Sequence, residues 1–152
     1  VTESPDLWTA RVPARMQDAV PRLARDKRGQ QVWYLNGKPV AKLGLSATAG
    51  AGDMKSPPND YPDMHPGAYD ARARLDYMDS LGIWAMVMYP NVGGFGSQVF
   101  LQMKDPEVML TCVKVYNDWQ TEWASADPRR LLPITSTPFW DVEAAAAEVR
   151  RC

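Results

Sequence analysis

Hydrophobic positions along this chain follow two regimes that meet near residue 70. From Asp70 onward they recur at helical and strand intervals. Asp70 has an N-cap side chain, Ala71, Leu75 and Met78 share one helical face, and Gly82 supplies a stop, so the pattern predicts a helix over about 70–82. The apolar run Ile83-Trp84-Ala85-Met86-Val87-Met88-Tyr89 follows directly and is closed by Pro90. Such a run reads as a strand buried on both faces, which implies a parallel sheet. Asp105-Pro106 places an N-cap and an N1 proline before a long helix whose stripe is Met109, Cys112, Val113, Tyr116, Trp119 and Trp123. Asp127-Pro128 ends it, Leu131-Leu132-Pro133-Ile134-Thr135 reads as the next strand, and after the loop Ser136–Trp140 Asp141 caps a final alanine-rich helix.

Before Asp70 the rhythm is lost. Residues 1–69 hold eight of the thirteen prolines and few periodic segments, so they are expected to form a long, mostly irregular excursion. One hairpin is predicted inside it near 31–43, where two β-prone runs flank Asn36-Gly37. Ala47–Pro58 reads as a flexible loop. The organisation is therefore an excursion over 1–69 followed by an α-β-α-β-α segment over 70–152. Two parallel strands cannot cover that many helix stripes, so a further strand is required, either hidden before Asp70 or upstream of Val1.

Composition narrows the partners. The chain has 45% hydrophobic and 23% charged residues and a formal net charge of -1, which offers no basic face for a nucleic acid or an anionic membrane. No apolar run approaches the ~20 residues of a bilayer span, and none opens the chain as a leader would. Cys112 and Cys152 form neither a CxxC motif nor a disulfide framework, so the expected setting is the cytoplasm. Val1 is not an initiator methionine and the last helix stops without Gly or Pro, which leads to the expectation of a chain cut at both ends.

Candidate chemistry concentrates in Asn91-Val92-Gly93-Gly94-Phe95-Gly96-Ser97, the glycine-rich loop at the carboxyl end of the first strand, where α/β sheets and barrels keep their ligands. The loop lacks both GxGxxG and a Gly-Lys-Ser/Thr ending, so Asn91, Gly93, Gly94 and Phe95 are expected to face a small-molecule substrate, with Ser97 capping a short turn. A small α/β nucleotide- or anion-binding module using Gly93–Ser97 is the alternative, and a non-catalytic interaction domain is a third reading. His65, the single histidine, cannot build a zinc site, which needs three or four converging ligands. Asn117 reads as a buried amide bonded to backbone. Asp76 and Asp79 with Arg72 and Arg74, and Glu143 with Glu148, read as solvated faces. No catalytic or metal-ligating residue is assigned.

Several segments together resemble a known family. They are Glu3-Ser4-Pro5-Asp6-Leu7-Trp8, Pro66-Gly67-Ala68-Tyr69-Asp70, Arg74–Asp79 with Gly82-Ile83, Tyr89-Pro90 with Gly93–Gly96, Tyr116-Asn117-Asp118-Trp119, and Asp127–Leu131. In this order the set resembles the amidohydrolase-related metal-dependent enzymes, the (β/α)8 barrels that include aminocarboxymuconate-semialdehyde decarboxylase. The resemblance implies a partial TIM barrel, about its first third and lacking strand one, with the proline-rich stretch inserted at its mouth. It implies a divalent metal such as zinc in the intact enzyme, held by residues outside this chain, with none in the fragment. It further implies hydrolysis or non-oxidative decarboxylation of a small carboxylated or amide-like substrate, a pocket wall that includes Trp8, and an isolated fragment that is inactive. Assembly of the intact protein as a homo-oligomer stays open.

Overall fold

The computed structural model describes residues 1–43, 58–94 and 97–152. Two small sheets organise them. The first is an antiparallel meander of β1 (Arg22–Arg25), β2 (Gln31–Leu35) and β3 (Lys38–Lys42). Asn36-Gly37 joins β2 to β3, and a register shift at Trp33/Tyr34 bends the pair. β1 adds a strand to the expected hairpin. Its four residues, Arg-Leu-Ala-Arg, carry too little apolar alternation to announce a strand, and pairing with β2 supplies what propensity does not.

The second sheet is the parallel pair β4 (Met86–Met88) and β5 (Leu131–Pro133), in the register Met86↔Leu131, Val87↔Leu132 and Met88↔Pro133. Helix α1 (Ala71–Ser80) precedes β4, α2 (Pro106–Ala124) lies between the strands, and α3 (Val142–Arg151) follows β5. Each helix starts on an aspartate cap. Asp70 accepts from Ala73 N, Asp105 from Glu107 N and Asp141 from Ala144 N. α1 ends with Gly82 at φ +67°, Gly82 N donating to Asp79 O and Ile83 N to Met78 O, the paired bonds of a Schellman stop. Ile83 thus finishes a helix instead of starting a strand, which shortens β4 relative to the apolar run.

α2 buries Val108, Met109, Cys112, Val113, Tyr116 and Trp119 in one core with Leu7, Trp8, Val12, Trp33, Met78, Met88, Phe100 and Leu131. The N-terminal strap lies across this helix, with Arg11 on Glu122 and Arg15 on Glu107, both exposed pairs that fix direction more than they stabilise. Among the described residues no helix is long and apolar enough to cross a membrane.

The expectation of a strand buried on both faces is corrected. Met88 and Leu131 are buried on the helix side, while Val87 is 47%, Tyr89 48% and Leu132 41% exposed on the other. Met78 of α1 and the stripe of α2 pack on one side of the pair, so alternate side chains of β4 and β5 face outward. Val87→Lys together with Leu132→Lys is expected to reduce self-association of the chain at about 0.5 kcal/mol or less per site. Light scattering at matched concentration checks this, and particles of undiminished size would show that another surface is the adhesive one.

Candidate functional site

The carboxyl ends of β4 and β5 are held by buried side chains where the strand ladder stops. Gln120, on α2 and 1% exposed, donates Nε2 to Met88 O at 2.7 Å. Ile134 N reaches the same oxygen at 3.3 Å. On the other side of β4 the backbone nitrogen of Val1 donates to Tyr89 O at 3.3 Å, and Thr2 N donates to Ala68 O at 2.9 Å. The segment Val1–Glu3 is thereby laid beside the end of β4 and fully packed.

Glu3 is the centre of this arrangement. Its carboxylate is 0% exposed and accepts Asn91 N at 3.0 Å, Val92 N at 2.8 Å and Asn91 Nδ2 at 3.3 Å. Burial pushes its pKa above the ordinary glutamate range, and the donated amides of Val92 and Asn91 oppose that shift. The phenols of Tyr61 and Tyr116 are held up by burial first and then by the negative charge of Glu3. Neither hydroxyl has a hydrogen-bond partner among the described residues.

The loop itself is tight. Val92 is fully buried, Gly93 packs on the Phe100 ring, and Gly94 has φ +72° with the Gln98 amide where a β-carbon would stand, 2.6 Å away. The positive φ is what calls for glycine at Gly94, since the Gln98 amide is the end of a flexible side chain that can move aside. Ser97 has φ +58° and is buried, but its side chain makes no cap bond, so the expected cap is absent and its Oγ has no partner among the described residues. Of the expected substrate-facing residues, Asn91 and Gly94 are half-buried at the strand end, Gly93 is buried beside them, and Phe95 lies outside the described residues.

Trp8 stands elsewhere. It is 0% exposed, donates Nε1 to Cys112 O at 3.1 Å, and meets Trp33 and Phe100 edge-on at 5.4 and 6.0 Å. That is the packing of a core residue.

Two solvated faces expected from sequence also move. Arg74 is 6% exposed, with its Nε on Gly67 O and its Nη1 on Met86 Sδ, and Asp79 pairs with Arg130 instead of a helix neighbour. Glu148 is 1% exposed, because α3 turns it toward Asn117 of α2. Asn117 is bonded to the backbone of Ser136. His65 accepts Gly67 N on Nδ1 and lies against Tyr77.

Chemically, the described residues at the strand ends present backbone and amide groups, and among them no nucleophile stands with its base. At the root of the glycine loop Asn91 N and Val92 N are already engaged by Glu3. Glu3, Gln120 and the partners of Asn117 escaped sequence reasoning. Glu3 lay inside a segment of the family resemblance, and nothing in periodicity marks the others.

No family model and no curated protein sequence matches the chain. Among solved structures it is similar to an amidohydrolase from Mycobacterium avium subsp. paratuberculosis K-10, at 17% identity and a TM-score of 0.71, over 99% of this chain and 44% of that one. The chain spans less than half the length of that protein, and what the two share is the fold: a mixed α/β arrangement of the kind an amidohydrolase carries.

Proposed function

We propose that this chain is part of a metal-dependent amidohydrolase-related enzyme, equivalent to about the first third of a (β/α)8 barrel without its first strand. The observation that carries the reading is the parallel pair β4–β5, covered by helices on one side and bare and apolar on the other. A closed ring of strands buries that bare face as its interior. The fold likeness over 99% of the chain agrees. The substrate is a small carboxylated or amide-like molecule, processed by hydrolysis or non-oxidative decarboxylation in the cytoplasm.

The implied divalent metal does not fit the residues in hand. Among the described residues no three His, Cys, Asp or Glu side chains gather as a metal site, and no step is derived through it. The ligands belong to the rest of the protein. This chain contributes pocket wall from Asn91, Gly93 and Gly94 at the carboxyl end of β4, with Glu3 fixing where that wall stands, and Phe95, the next residue in sequence, is proposed to face the same substrate. Trp8, in the core, supports it from behind.

The test compares the chain with the longer protein that contains it. The longer protein is expected to hold a divalent metal stoichiometrically and to lose turnover of carboxylated or amide substrates when chelated, with recovery on adding metal back. The chain alone is expected to bind zinc no tighter than a surface site. Micromolar or better stoichiometric zinc binding by the chain alone, measured calorimetrically, would sink the reading.

A further inference from the structure

One buried amide of α2, backed by a buried carboxylate of α3, grips a single backbone residue. Asn117, 3% exposed, donates Nδ2 to Ser136 O at 2.9 Å and to Glu148 Oε1 at 2.8 Å, while its Oδ1 accepts Ser136 N at 2.8 Å. Gripping both the N–H and the C=O of one residue is what a neighbouring strand does in a hydrogen-bonded pair. Here a side chain does it, three residues past Pro133, where the ladder has ended.

Glu148 holds the amide in that sense. Its carboxylate takes one Asn117 N–H and leaves the other for Ser136 O. Arg151 makes the buried charge tolerable, donating Nε to Oε2 at 2.8 Å and Nη2 to Oε1 at 2.6 Å, with Nη1 on Asp118 at 2.5 Å. A side chain also holds the backbone beyond β4, though by accepting alone: Asn91 lies three residues past Met88, the register partner of Pro133, and there Glu3 accepts the successive N–H groups of Asn91 and Val92.

We propose that Asn117 is a positioning residue for the loop at the carboxyl end of β5, oriented by Glu148, and that it pairs with Glu3 to set the two strand-end loops at one height around the substrate. This rests on the reading that ligands meet the chain at its strands' carboxyl ends. Asn117 touches no substrate. Its work is to fix Ser136, and through it the turn that carries Phe139, 50% exposed.

Amide hydrogen exchange on the chain tests this, with the amides of α1 as internal reference. Asn117→Ala is expected to lower protection at Ser136 roughly ten- to a hundredfold relative to α1. Asn117→Asp, which loses the donor and faces Glu148 with a second carboxylate, should do the same. Asn117→Asp combined with Glu148→Gln places a donor between the two side chains again and is expected to recover part of the protection, Ser136 O still lacking its donor, a recovery which a space-filling role would not produce. Should the truncation prevent folding, Glu148→Gln alone serves, with a several-fold loss confined to Ser136 expected. Unchanged protection, a loss shared equally with α1, or a double variant no better than Asn117→Asp would each overturn the proposal. Exchange requires neither metal nor substrate, so its failure is distinct from a failure of the enzymatic reading.

Discussion

Replacing Trp8 by alanine is expected to destabilise the chain by about 3–5 kcal/mol, the largest effect of any single truncation outside the sheet. Trp8 is wholly enclosed, and its ring edges seat Trp33 of the meander and Phe100 beyond the glycine loop. Removing it leaves a void bordered by three structural units. The indole N–H also donates to Cys112 O inside α2 as a second bond beside the helix's own ladder, so its loss removes a buried hydrogen bond as well as opening a cavity. Trp8→Phe separates the two costs, refilling most of the volume without the donor, and should lose about 1–3 kcal/mol. Urea denaturation of the three proteins measures both. A change below about 1 kcal/mol in Trp8→Ala would show that the strap is not part of the cooperative core.

The second large effect belongs to Glu3. Glu3→Ala is expected to cost about 2–4 kcal/mol, because it leaves the amides of Asn91 and Val92 buried without acceptors. Glu3→Gln keeps an acceptor oxygen there and removes the uncompensated charge, so at neutral pH it should lie within about 1 kcal/mol of the parent. The pH dependence gives the sign. Since burial raises the folded-state pKa of Glu3, the folded chain holds its proton more tightly than the unfolded chain does. Stability attributable to Glu3 is therefore full below the unfolded value of about 4.3 and declines as pH rises through the raised folded value. Subtracting the Glu3→Gln profile from the parent's isolates that decline. A difference that instead grows with pH would mean that the donated amides outweigh desolvation.

Legibility in the sequence followed locality. The three helices and their aspartate caps are written within ten to twenty neighbouring residues, and Asp70, Asp105 and Asp141 stand where the pattern puts them. Strand β1 was not legible, because Arg22–Arg25 becomes a strand only by pairing with β2. Nor was the short extent of β4, since a run of seven apolar residues says nothing of how many neighbours it will find. The site was less legible still. Glu3 reaches Asn91 across 88 residues and Asn117 reaches Glu148 across 31, and no periodicity encodes a buried polar side chain whose partner lies so far along the chain. Glu148 reads as a helix surface residue because carboxylates mostly are, and only the arrival of Arg151 and Asn117 makes the inward turn affordable.

The strap across α2 also sets a schedule for synthesis. Trp8 precedes Cys112 by 104 residues, and Arg11 precedes Glu122 by 111. At about 5–20 residues per second, a nascent chain carries an unsheltered indole for roughly 5–20 s before the helix that encloses it has left the ribosome. Residues made about a hundred positions earlier thus settle no sooner than the helix they cross. During that interval the meander emerges well ahead of α2, and its Trp33 offers Trp8 an edge-on partner, which gives the irregular, proline-rich stretch before Asp70 a part in keeping the growing chain from its neighbours.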